Sequence, residues 1–195
     1  MFSRLGIESC SVKVSSDLDK VDGLVLPGGE STTISLLLDS NNMNKTLIDF
    51  GKSYPVMGTC AGLIMMAKTV SDGRIKPLGL LDIVVDRNAY GRQIQSSKEM
   101  VRYNFNEQTK IDLSTTLIRA PKIIKVSKKI NVLGKFKGTP VAVLSGHHLG
   151  LTFHPELDEI NIFHQILFDS QSEVFYKKKV ENSIPNMSLE RLDVE

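Results

Sequence analysis

Tryptophan is absent from this sequence of 195 residues, and cysteine occurs only twice, as Cys10 and Cys60. Two cysteines cannot supply a disulfide framework, so the fold must rest on an apolar core, and a reducing cytoplasm is the expected compartment. Long apolar runs are missing as well. No stretch reaches the ~18–20 residues that cross a bilayer, and none has the form of a secretory signal, so no membrane association is expected. An excess of one charge is also lacking, since 24 basic and 22 acidic residues leave a formal charge of +2. With no aromatic-studded basic block, nothing points to nucleic acid. The lysine-rich region from Lys125 to Lys137 alternates with Val126, Ile130, Val132, Leu133 and Phe136, the pattern of strands with one solvated face. What is present, 41% hydrophobic and 24% charged residues, suits one domain with a full core.

The chain is organised around Gly58-Thr59-Cys60-Ala61-Gly62. A short apolar run, Val56-Met57, precedes it, and the helix-forming run from Leu63 to Lys68 follows. A cysteine between two glycines at a strand-to-helix junction has the form of a nucleophile elbow, in which the glycines permit a sharp turn that projects the side chain above a sheet. The positive end of the following helix favours a thiolate at Cys60. Read alone, the pentapeptide is equally compatible with a small buried hydrophobe.

Upstream, Met1 to Gly6 reads as the end of a helix closed by glycine, and Ser11 to Val14 alternates as a strand does. Val21 to Leu26 is a buried-strand run ending in Pro27-Gly28-Gly29-Glu30-Ser31-Thr32-Thr33. This second glycine-rich turn opens into a helix from Ile34 to Asp39, and its backbone N–H groups suit an oxyanion. It lacks the frame of a nucleotide-binding P-loop. Another helix is expected from Met43 to Lys52, with Asn42 or Asn44 as its cap. Alternating strands and helices up to Thr69 predict a parallel sheet covered by helices. The middle of the chain changes to short strands: Leu81 to Val85, Met100 to Phe105, Thr116 to Arg119, Ile123 to Val126 and Val132 to Phe136. Val141 to Leu144 and Leu149 to Phe153 form a hairpin around Ser145-Gly146-His147-His148. Ile160 to Phe168 is an amphipathic helix, and the chain from about Gln171 is polar.

The last strand ends at His154-Pro155-Glu156. Proline holds His154 extended, which places the two side chains on one side of the chain, so that the carboxylate orients the imidazole. Beside Cys60 this pair would supply base and orienter to a nucleophile. On H-P-E alone, a surface histidine at a strand end is an equal reading.

Taken together, these motifs resemble class I glutamine amidotransferases, and within them the glutaminase subunits of pyridoxal 5′-phosphate synthase. Leu26-Pro27-Gly28-Gly29-Glu30-Ser31-Thr32, Gly58-Thr59-Cys60-Ala61-Gly62 and Phe153-His154-Pro155-Glu156-Leu157 carry the central match. Arg87-Asn88-Ala89-Tyr90-Gly91-Arg92-Gln93 and Ile118-Arg119-Ala120-Pro121 narrow it to this branch. The resemblance runs from about Leu5 to Phe168. It implies an α/β, flavodoxin-like three-layer fold with a central mostly parallel sheet and additional short antiparallel strands. It implies a triad of Cys60, His154 and Glu156, and L-glutamine held by Gly29, Glu30, Ser31, Arg87, Ile118 and Arg119. Backbone N–H groups at Gly29 and Ala61 would meet the oxyanion. The implied activity is hydrolysis of L-glutamine to L-glutamate and ammonia without metal or cofactor. The ammonia passes to a synthase subunit, in a hetero-oligomeric complex whose product is pyridoxal 5′-phosphate, and the glutaminase is weak until it docks there. His147 and His148 match none of these positions and read as loop residues.

Against this family the chain lacks a first strand, a glutamine-bearing loop and most of a helix. The expected organisation is therefore an amino-terminally incomplete glutamine amidotransferase domain over residues 1–170 and a polar tail over 171–195. The alternatives are a catalytically silent, partner-binding subunit and a glutaminase that serves another synthase.

Overall fold

The computed structural model describes residues 1–87, 97–105, 110–118 and 120–171. A 3-10 turn, Phe2–Leu5, ends at Gly6 in the left-handed conformation, φ 66°, as the Leu-Gly sequence predicts. The strand expected at Ser11 to Val14 does not form. Its backbone is served instead by a side chain: Asp17, in the 3-10 turn Ser15–Lys20, accepts the N–H groups of Lys13 and Val14 at 3.0 and 3.2 Å. Alternation favours an extended chain, but a strand also needs a neighbour to pair with.

Strand β1, Leu24–Leu26, leads into α1, Ser31–Ser40, which is followed by α2, Met43–Gly51. Helix α1 starts three residues before the expected Ile34 because the Glu30 carboxylate accepts the N–H groups of Thr32 and Thr33 and caps it. Strand β2, Val56–Thr59, leads through Cys60 into α3, Ala61–Met66. The helix expected to reach Lys68 stops there, and Ala67–Val70 becomes β3, parallel to β4, Leu81–Asp86. Good helix formers have been overridden by pairing with a buried strand.

The remaining strands are β5, Ser97–Asn104; β6, Lys110–Leu117; β7, Lys122–Val126; β8, Asn131–Phe136; β9, Thr139–Ser145; and β10, His148–Leu151. Helix α4, Ile162–Phe168, follows a 3-10 turn at Pro155–Asp158. His148, read as a loop residue, is the first residue of β10 and is buried, whereas His147 lies in the turn with Nε2 at 2.8 Å from the Gly51 carbonyl oxygen.

The larger sheet has the order β1-β2-β10-β9-β8-β5-β6, and β3-β4-β7 forms a second, smaller one. Strands β1, β2 and β10 are mutually parallel, and every other pairing in the larger sheet is antiparallel. Short hairpin connections account for the large antiparallel share, since parallel neighbours need a crossover. The parallel part carries the chemically interesting motifs at the ends of its strands.

Side chains alternate between two cores. Leu26, Val56, Leu63 and Val143 pack with α2 residues Met43, Leu47 and Phe50 on one face. Met57, Leu144, Leu149 and Leu151 pack with Phe163, Ile166 and Leu167 of α4 on the other. Helices thus cover both faces of the sheet, and the fold is three-layered α/β. Strand β1 is an edge: no strand pairs with its outer side among the described residues, and that side lines an open groove of about 1380 Å³ that continues past Gly28 and Glu30.

Candidate active site

Cys60 stands between β2 and α3 with φ 50° and ψ −106°, a conformation that costs an L-residue roughly 1–3 kcal/mol. Two close approaches hold it there. A methyl group on Gly62 would stand 1.8 Å from the Leu26 carbonyl oxygen of β1, and one on Gly58 would stand 2.7 Å from the Gly62 carbonyl. Each glycine lets one backbone touch another, and the turn between them is forced to be sharp. The Cys60 N–H donates to the Leu151 carbonyl at 2.9 Å, which ties the turn to the end of β10.

Three residues after Leu151 comes His154. Its backbone is extended, φ −110° and ψ 95°, as the following proline requires. Its ring lies against Gly28, where a methyl group would be 2.1 Å from Cε1. Through Nδ1 the imidazole donates to Glu156 Oε1 at 2.7 Å, and the Cys60 side chain adjoins it. Pro155–Asp158 folds as a 3-10 turn, so Glu156 reaches back to His154 by chain reversal rather than by strand alternation. The adjoining Cys60 sulfur, and next the hydrogen bond to Glu156, push the imidazole up to about 10. The Glu156 carboxyl is held below its ordinary value by His154 against the opposing effect of burial.

The turn is anchored from below. Asp158, with a side chain only 2% exposed, accepts the Thr116 N–H at 2.5 Å and the Thr116 hydroxyl at 2.7 Å, and pairs with Lys98 at 3.2 Å. Thr116 lies two residues before Ile118, so this contact joins the two expected site segments from β6 and the His154 turn.

The other candidate segment surrounds the start of α1. Gly29 has φ 143°, which glycine adopts freely, and Ser31, the first helical residue, is buried. The Glu30 carboxylate is pulled down to about 2, chiefly by the Thr33 N–H it caps. Arg87, just after β4, donates from Nη2 to Glu30 Oε1 at 2.9 Å and from Nη1 to Thr32 Oγ1 at 2.6 Å and Asp72 Oδ2 at 3.2 Å. Cys60, His154 and Glu156 therefore form one group, and Glu30 and Arg87 meet beside Ser31. Ala61 opens α3, where the first N–H groups have no partner within the helix. Arg119, and Asn88 to Gln93, lie outside the described residues. Sequence reasoning missed Asp72, Asp158 and the Leu151 carbonyl. Strand order would have found Leu151, but the two aspartates carry no local signal. No group of ligating side chains that would hold a metal occurs among the described residues, nor is any described helix long and apolar enough to cross a membrane.

The chain is similar to the pyridoxal 5′-phosphate synthase subunit PdxT of Thermotoga petrophila, with 42% identity over 157 residues that cover 80% of this chain and 82% of the relative. The corresponding subunit of Caldicellulosiruptor saccharolyticus is 44% identical over 161 residues, 82% of this chain and 83% of that one. A solved structure described as a glutamine amidotransferase superposes with a TM-score of 0.77 at 34% identity, covering 85% of this chain and 87% of the other. The family model for SNO glutamine amidotransferases matches residues 2–172. With an elbow cysteine, its imidazole partner and these relatives in agreement, the chain belongs to the SNO glutamine amidotransferase family.

Proposed function

We propose that the chain is the glutaminase subunit of a pyridoxal 5′-phosphate synthase, hydrolysing L-glutamine to L-glutamate and ammonia. The observation that carries this reading is the unbroken run of contacts from Cys60 to His154 to Glu156 at a strained strand-to-helix turn. The Cys60 thiolate attacks the carboxamide carbon, and the carbonyl electrons move to an oxyanion that the backbone N–H groups of Gly29 and Ala61 meet. The C–N bond then breaks, His154 passes its proton to the departing nitrogen, and ammonia leaves a thioester behind. His154, neutral after that transfer, takes a proton from water as it attacks the thioester. The C–S bond breaks, and glutamate and free Cys60 result. Glu156 holds the imidazole in the tautomer this sequence requires. Side chains and backbone suffice for these steps.

For substrate binding, Arg87 is the expected clamp for the α-carboxylate and Glu30 the acceptor for the α-ammonium group, with Gly29, Ser31, Ile118 and Arg119 completing the site. The similarity to PdxT subunits supports a synthase partner that receives the ammonia. Ammonia release from L-glutamine by the chain mixed with such a synthase subunit, with Cys60→Ala as control, tests the reading. Release that depends on Cys60 is expected. Equal release from the control, or none from the folded, partner-bound wild type, would overturn it.

A further inference from the structure

Arg87 is the residue on which this inference turns, and it rests on the proposal that Arg87 clamps the substrate carboxylate. An arginine on a strand end sweeps a wide arc unless its guanidinium is fixed, and a clamp helps only when its donors already point at the place the ligand will occupy. Three acceptors fix this one. Two, Glu30 and Thr32, belong to the start of α1. The third, Asp72, comes from the loop between β3 and β4.

That loop is itself secured. The Ser71 N–H donates to the Val85 carbonyl at 3.0 Å, and its hydroxyl donates to Asp86 Oδ1 at 3.0 Å, which sets Asp72 beside the end of β4, where Arg87 begins. Farther along, the Lys76 N–H donates to Ser35 Oγ at 3.0 Å, and Lys76 Nζ reaches Asp39 at 2.7 Å, so the loop is docked on α1 as well. Asp72 is 11% exposed, and Arg74 grips it in two-pronged fashion, Nε to Oδ1 at 2.9 Å and Nη2 to Oδ2 at 2.6 Å. The carboxylate cannot swing away. The row Glu30, Arg87, Asp72, Arg74 alternates in sign and is neutral as a whole, so a zwitterionic amino acid joins it without leaving a net charge.

Donor counting shows what Asp72 accomplishes. Both N–H groups of Nη1 are taken, by Thr32 and Asp72, and one of Nη2 by Glu30. Among the described residues, the Nε–H and one Nη2–H remain for a ligand. Without Asp72, Nη1 regains a free donor and the guanidinium has a second way to turn.

We infer that Asp72 is a positioning residue for the glutaminase reaction: by occupying Nη1 it fixes the rotation of Arg87 and aims the remaining donors at the α-carboxylate of glutamine. Orientation of a group that binds ground state and transition state alike appears in KM and leaves kcat in place.

The test measures ammonia release in the complex with the synthase subunit for wild type, Asp72→Asn, Asp72→Glu, Arg87→Ala and the Asp72→Asn/Arg87→Ala double variant. L-Glutamine binding to the same set carrying Cys60→Ala is measured by calorimetry. Asp72→Asn raises KM and the dissociation constant about 5- to 10-fold with kcat within about twofold, Asp72→Glu recovers part of the loss, and Asp72→Asn has no further effect once Arg87 is alanine. A KM within twofold of wild type in Asp72→Asn, or effects of the two substitutions that multiply independently, would overturn the inference. The glutaminase reading fails separately, through absent Cys60-dependent release in the wild type. Calorimetry then still decides whether Asp72 acts through Arg87, and loss of all glutamine binding would overturn both.

Discussion

The imidazole of His154 rests directly on the α-carbon of Gly28, where a methyl group would come within 2.1 Å of Cε1. The loop that opens α1 thereby sets the position of a side chain more than a hundred residues along the chain. Gly28→Ala should displace the ring from Cys60 and cut glutamine turnover by about 100-fold or more, with thermal stability nearly retained because the ring can give way. Gly62→Ala makes the opposite case. Its methyl group meets the Leu26 carbonyl at 1.8 Å, backbone against backbone, and should destabilise the fold by about 3 kcal/mol or more. Paired melting and ammonia-release curves check both, and a fully active Gly28→Ala protein would contradict the contact.

The strain at Cys60 predicts an inverted order among its replacements. At ordinary positions glycine is less stable than alanine by about 0.5–1 kcal/mol. At φ 50° and ψ −106° the order should reverse, with Cys60→Gly more stable than Cys60→Ala by about 1 kcal/mol and both inactive. Urea unfolding of the two proteins decides it, and a more stable alanine variant would rule out the strain.

Asp158 links the His154 turn to β6 through both the N–H and the hydroxyl of Thr116. Asp158→Ala leaves a part-buried N–H without its acceptor and should cost about 1–2 kcal/mol. A loss below about 0.5 kcal/mol on chemical denaturation would show that the contact is dispensable.

His164 on α4 is buried, with its ring edge-on to Phe2 at 5.4 Å. Burial lowers its imidazole to about 4, against the pull of Glu156 and with a small push from the amino terminus. The unfolded chain takes up this proton near 6.5. Between those values the unfolded state binds more protons, so this contribution to stability is complete above pH 6.5 and is lost as the pH falls toward 4, by about 3 kcal/mol in all. His164→Gln should flatten the slope of unfolding free energy over that window, and an unchanged slope would exclude His164 as its source.

Much of this was legible in the sequence because the decisive residues are local. Gly58-Thr59-Cys60-Ala61-Gly62 encodes its own turn, and His154-Pro155-Glu156 encodes an extended histidine with a carboxylate two residues on. What was not legible depends on neighbours distant in the chain. Met65-Met66-Ala67-Lys68 has the composition of a helix, yet Ala67–Val70 pairs with β4. Ser11 to Val14 alternates as a strand, yet two of its neighbouring backbone N–H groups, at Lys13 and Val14, go to Asp17. Asp72 and Asp158 are ordinary polar residues in sequence and acquire meaning only when folding brings Arg87 and Thr116 to them.

The bond from the Cys60 N–H to the Leu151 carbonyl has a mechanical consequence. Nucleophile and base hang from the same strand end, one by its amide and the other three residues along the chain. Breathing of β9 and β8 carries both together and leaves their separation unchanged, whereas β6 is tied to the His154 turn by Asp158 and Thr116. Shear between β2 and β10 would open the gap, and the parallel ladder between those two strands resists it. Loosening of β8 against β9 should therefore register in stability well before it registers in catalysis.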